Sequence, residues 1–147
     1  MGFFVKQFRE YTPLQNVRDR YILQDQLTAA AAASGNITVP VGKSLTVDIV
    51  AIATVKAKGT GASANVGDTF ACRERVTVRN VTGTATVVTT TGGVPWVDAD
   101  TSMTGSGLAM SAATGSLVVS YSNPSTIGTG TAGIVAWAIE ADVMVSQ

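Results

Sequence analysis

Apolar and polar residues alternate along three long stretches of this chain. Across residues 45–58, Leu45, Val47, Ile49, Ala51, Ala53 and Val55 alternate with Thr46, Asp48, Thr54 and Lys56. A period of two marks a half-buried strand, because successive side chains of an extended backbone leave on opposite sides. Val50 and Ile52 interrupt the polar side. They predict that the middle of this strand is covered on both faces, with another subunit as one source of the second cover. Residues 68–80 repeat the pattern, with Phe70, Cys72, Val76 and Val78 on one face and Arg73, Arg75, Thr77 and Arg79 on the other. Across residues 131–146, Ile134, Ala136, Ala138 and Glu140 alternate with Val135, Trp137, Ile139, Ala141 and Val143. Trp137 is the expected core anchor of this stretch and Trp96 is expected at a rim.

Shorter strands are expected between these. Ser34-Gly35-Asn36 reads as a turn, followed by a strand over residues 37–42. Residues 84–91, 107–112 and 116–122 are further strands, punctuated by Thr82-Gly83, Gly92-Gly93 and Ala113-Thr114-Gly115. Residues 59–67 and 123–130 are loops of small residues. Around residues 12–28 two readings compete. Thr12-Pro13-Leu14-Gln15 has the capping residue, first-turn proline and glutamine of a helix start, with Leu14, Val17 and Tyr21 on one face. Tyr21 to Thr28 reads equally as an edge strand, the preferred reading. Seven or eight strands at this spacing predict an all-β fold, an antiparallel, jelly-roll-like β-sandwich.

Residues 1–20 differ from the rest. They hold three of the four phenylalanines, Phe3, Phe4 and Phe8, with Tyr11 and the cations Lys6, Arg9, Arg18 and Arg20. The chain is therefore expected to divide into an extended arm, residues 1–20, and a sandwich domain, residues 21–147. Ordering such an arm costs roughly 1–2 kcal/mol per residue in backbone entropy. Burying each Phe contributes about 1.5–3 kcal/mol, so several anchors on a neighbouring chain are needed together. These eight arm residues are the predicted partner-binding set.

Composition narrows the chemistry further. Charged residues are only 14% of 147, against roughly 25% in typical domains, so much of the surface is Thr, Ser, Gly and Ala, or lies against a partner. The formal net charge is zero, yet every Lys and Arg lies at or before Arg79, while only Asp98, Asp100, Glu140 and Asp142 follow it. Such asymmetry suits pairing between strands or chains, with Arg73, Arg75 and Arg79 against Glu140 and Asp142 as inter-subunit candidates. No basic, aromatic-interleaved patch suggests nucleic acid. No apolar run approaches the roughly 20 residues that span a bilayer, and no leader peptide is expected. Cys72 is the sole cysteine and is expected to be buried and unreactive. The chain has no His, which removes triads and imidazole bases. Asp98-Ala99-Asp100 lacks the spacing of a calcium loop. No catalytic residue, metal site or cofactor is expected. Asn36-Ile37-Thr38 and Asn80-Val81-Thr82 are formal glycosylation sequons.

The stretches Val39-Pro40-Val41-Gly42-Lys43-Ser44-Leu45-Thr46-Val47, Gly67-Asp68-Thr69-Phe70 through Arg79-Asn80, Trp96, Gly115-Ser116-Leu117-Val118-Val119-Ser120-Tyr121 and Ala136-Trp137-Ala138-Ile139-Glu140-Ala141 resemble a β-sandwich module of small structural proteins of tailed bacteriophages. That module occurs in capsid decoration (cement) proteins and in tail or fibre components, and the resemblance runs from about Tyr21 to the end. It implies a non-enzymatic virion protein at the capsid surface, commonly a homotrimer, whose partners are the major capsid protein and further copies of itself. The alternative it leaves open is a tail-fibre or host-attachment module, in which loops 59–67 and 123–130 would contact a receptor or glycan.

Overall fold

The computed structural model describes residues 4–7, 17–28, 31–89 and 96–146. These form ten strands: β1 (Phe4–Gln7), β2 (Val17–Thr28), β3 (Ala32–Thr38), β4 (Lys43–Ala57), β5 (Thr69–Asn80), β6 (Ala85–Thr89), β7 (Trp96–Ala99), β8 (Gly107–Ala113), β9 (Ser116–Ser122) and β10 (Ile134–Val145). They assemble into two antiparallel sheets, an all-β sandwich. The large sheet runs β1-β2-β10-β4-β5-β6, with β7 also paired to β5, and the small sheet runs β3-β9-β8. The two strands beyond the expected eight are β1 and β7, each only four residues long.

The three long alternations become the middle of the large sheet. β10 pairs with β2 over twelve residue pairs and with β4 on its other side, and β4 pairs with β5. Leu45, Val47, Ile49, Ala51, Ala53 and Val55 are all buried, as are Val135, Trp137, Ile139, Ala141 and Val143. Burial of each such Leu, Ile or Val side chain contributes roughly 1.5–3 kcal/mol, and a one-residue slip would turn every one of them to solvent. That fixes the register.

A three-stranded sheet cannot cover a seven-stranded one. β9 and β3 supply Leu117, Val119, Tyr121 and Ile37 to the core, and the loops supply Met103, Ile127 and Ala64, all fully buried. At the centre Trp137 packs at ring-centroid distances of 5.2 Å from Tyr121 and 5.8 Å from Phe70. The polar edges of these rings are satisfied. Trp137 Nε1 donates to Asn123 Oδ1 at 2.7 Å, Asn123 Nδ2 donates to the Leu27 carbonyl at 3.3 Å, and the Tyr121 hydroxyl donates to Asp25 at 2.9 Å.

One local expectation changes. Ser34-Gly35-Asn36 is not a turn but lies inside β3, paired with Ser120, Val119 and Val118. Opposite a ready-made partner strand, sheet pairing overrides the local turn preference of Gly and Asn. The turn comes later, at Gly42, whose φ is +78°. Residues 17–28 form strand, the preferred of the two readings for Tyr21 to Thr28, while the competing helix start Thr12-Pro13-Leu14-Gln15 lies outside the described residues. Of the leading segment, residues 4–7 pair as β1 with β2, Phe4 opposite Leu23 and Gln7 opposite Arg20.

Candidate docking faces

With the core on the inner side, alternate residues of β2, β10, β4 and β5 make the outer face of the large sheet. The registers arrange them in rows that cross the strands. One row is Arg20, Asp142, Asp48 and Arg75; the next is Ile22, Glu140, Val50 and Arg73. Then come Gln24, Ala138, Ile52 and Ala71, followed by Gln26, Ala136, Thr54 and Thr69. Charge is thus gathered at one end of the face and the middle is apolar. Val50 is 44% and Ile52 48% exposed. Among the described residues nothing supplies the second cover expected for this part of the strand. Because Ala136 and Ala138 are short and their neighbours long, a trough of about 460 Å³ runs over β10 between Gln24 and Gln26 on one side and Ile52, Thr54 and Lys56 on the other.

The predicted charged residues fall on this face, where Asp48 and Arg20 of the same chain are partners to most of them. Arg75 makes a two-pronged contact with Asp48, both bonds at 2.8 Å, and Arg73 lies 4.0 Å from the same carboxylate. Arg20 Nε reaches Asp142 at 3.2 Å and Glu140 at 3.3 Å. Hydrogen bonding to Asp142, then its charge and that of Glu140, raises the already high pKa of the Arg20 guanidinium, and Asp48 does the same for Arg75. The arginine stripe and the acidic pair are separated by β4, so Asp48 stands between them. Arg79 lies further along β5, opposite Ser44 and Thr86. Solvent screens exposed pairs of this kind. They order the face more than they stabilise the fold.

Of the predicted arm residues, Phe4 and Lys6 lie in β1, with Lys6 opposite Tyr21, and Arg18 lies in β2 opposite Met144. Phe3, Phe8, Arg9 and Tyr11 lie outside the described residues.

The outer face of the small sheet has a different character. Its rows are Ala32, Ser122 and Gly107; Ser34, Ser120 and Ala109; Asn36, Val118 and Ser111; and Thr38, Ser116 and Ala113. None of these twelve positions carries a charge. Here lies the physical source of the chain's low charge content.

At one end of the sandwich the two small-residue loops are bonded to each other. Gly59 N donates to Ile127 O at 2.9 Å, and Thr60 and Thr129 exchange backbone bonds at 3.1 and 3.0 Å. Ser63 and Ala64 both donate to Thr126 O at 3.0 Å. The Thr126 hydroxyl bonds the Ser102 carbonyl and the Ser102 hydroxyl bonds Asp68. Asp68 also accepts from Asn65 N at 2.7 Å, and the Ser102 bond, followed by the Asn65 bond, holds its carboxyl below the usual range. Asp100 accepts from Thr69 N at 2.7 Å. Asp68 and Asp100 are thus used as loop ties, while Asp98 lies in β7 opposite Ala71. Among the described residues no group of three or more His, Cys, Asp or Glu side chains could hold a metal ion.

Cys72 is buried on the inner face of β5, and burial first, with the charge of Glu74 second, pushes its thiol up to about 12. Glu74 is itself on that inner face, and burial holds its carboxyl above the usual value. Asn80, flagged as a sequon, is buried; it donates to Val39 O at 2.7 Å and accepts from Gly83 N at 2.8 Å, organising two adjacent turns. Sequence reasoning missed Asp48 as the link on the outer face and Asn123 as the core's polar hub. Asp48 was visible as an acid on the polar side of its strand, and Asn123 only as a loop opener before Pro124. No helix among the described residues is long and apolar enough to cross a membrane. No protein-family model, curated protein or solved structure matches the chain.

Proposed function

We propose that this chain is a non-enzymatic structural subunit of a larger particle, a capsid decoration protein that binds and stabilises an assembled phage head through its leading residues and through contacts between subunits. The observation that carries the reading is the exposed apolar middle of the large sheet, Val50 and Ile52 flanked by Ile22, Ala71, Ala136 and Ala138. Contiguous apolar surface of that kind on a sheet of full strand length is a contact surface for another chain. The uncharged small-sheet face and the use of Asp68 and Asp100 as loop ties fit a body made for contact rather than chemistry. The choice of a phage shell as the particle rests on the likeness of residues 39–47, 67–80, 115–121 and 136–141 to the tailed-phage module.

In this reading Phe3, Phe4, Phe8 and Tyr11 are the anchors of the leading segment, and Lys6, Arg9 and Arg18 meet an acidic shell surface. Several weak contacts on one oligomer raise the effective concentration of each and bind together far more tightly than alone. The test is co-sedimentation of the full chain with shells stripped of it, beside a Phe3→Ser/Phe4→Ser/Phe8→Ser variant whose fold is checked by circular dichroism. The wild type is expected to pellet with shells and the folded variant to stay in solution. Equal binding by both would reject the arm anchors. Binding to host cells and not to shells would favour the receptor-binding alternative.

A further inference from the structure

The outward side chains of β4 follow the order Asp48, Val50, Ile52, Thr54, Lys56. Counted from Ile52 in either direction, the first step meets Val50 or Thr54, side chains of nearly equal size and shape. The second step meets an anion on one side and a cation on the other. A two-fold axis lying in the plane of the face and crossing β4 at Ile52 therefore sets Asp48 of one copy opposite Lys56 of the other, and does so twice. Self-complementarity about a point is the requirement of a closed two-fold interface.

The flanking strands obey the same symmetry. The row through Ile52 holds Gln24, Ala138 and Ala71, so no charge is buried on the axis, and the two Ile52 side chains meet there. Glu140 and Arg73, beside Val50, fall opposite Ala136 and Thr69 of the second copy, the neighbours of Thr54. Asp142, in the charged row, falls opposite Ile134, beyond Ala136 on β10. No like charges are opposed. Two sheets stacked in this way pack about 10 Å apart in the aligned manner of a sandwich.

We propose that the outer face of the large sheet is the self-association surface of this chain, occupied by a second copy related by a two-fold axis at Ile52. The inference rests on the docking role assigned to this face above and specifies its occupant, in place of the threefold assembly that the phage resemblance implies.

Sedimentation velocity of the full chain over a roughly hundredfold concentration range tests it without any shell. The wild type is expected to be a dimer, and Ile52→Lys, a substitution at a half-exposed position, a folded monomer. Asp48→Lys sets Lys against Lys across the axis and Lys56→Asp sets Asp against Asp, so each alone is expected to weaken association about tenfold or more. An equal mixture of the two is expected to form a heterodimer in which both contacts have opposite charges. A monomeric wild type, a trimer indifferent to Ile52→Lys, or a mixture that associates no better than its components would each overturn the proposal. A wild-type monomer that still coats shells would do so while leaving the decoration role standing, and a dimer that ignores shells would do the reverse.

Discussion

Asn123 shows how much one side chain can hold. It begins the link from the small sheet to the large one, accepts the indole hydrogen of Trp137 and donates to the Leu27 carbonyl, while its backbone N–H bonds Ala31 O at 3.0 Å. Asn123→Ala leaves the buried indole N–H without its partner, and an unmatched buried donor costs about 1–3 kcal/mol. The expected outcome is a lower denaturant midpoint with an unchanged m-value, read by Trp fluorescence. A midpoint equal to the wild type would mean that water replaces the amide. The residue-level signal in the sequence was uneven for a physical reason. Trp137 announces itself as core by its size and its place in an alternation. Asn123 and Asn80 look like ordinary turn residues until the chains they bridge, 14 and 41 positions away, are brought beside them.

At the scale of elements, strands β4, β5, β9 and β10 were legible to within a few residues, because each carries an alternating buried face and follows closely on a glycine. β3 was not, since its first residues, Ala32 to Asn36, contain no strand-forming side chain and extend only because β9 is there to pair with them. β7 was missed for a similar reason: four residues pair with β5 over Phe70–Arg73, which the chain order gave no means to foresee. The loops 59–67 and 123–130 were recognised as loops, but not as each other's partners. Their junction depends on glycine. Gly128 has a φ of +91°, and a Cβ there would stand 2.6 Å from Thr60 O. Gly128→Ala combines a backbone conformation nearly confined to glycine with a backbone clash, and is expected to cost about 2 kcal/mol or more. A matching fall in melting temperature, with faster hydrogen exchange at Thr60 and Thr129, would check it. Unchanged exchange at those amides would show that the loops are held elsewhere.

At the scale of the molecule, alternation reveals which residues face in, and so it predicted an all-β sandwich. It also flagged Val50 and Ile52 as surplus apolar residues on an outward face. What it could not supply was the register between strands distant in sequence, and it is register that turns isolated charges into the row Arg20, Asp142, Asp48, Arg75 and places small apolar rows beside it. Within one chain Asp48 lies between the arginines of β5 and the acidic pair Glu140 and Asp142, and that pair is served by Arg20. The molecule that results presents one charge-free face, one face with an apolar middle bordered at one end by ion pairs, and an end closed by bonded loops.

That surface pattern supports a working life spent in contact with other chains, and direct imaging of the assembled particle by electron cryo-microscopy addresses this most squarely. The account predicts the sandwich on the outside of the shell, with Val50 and Ile52 covered by a second copy and the leading residues against the shell protein. Finding the chain away from the shell, or on it with Ile52 facing open solvent, would contradict it.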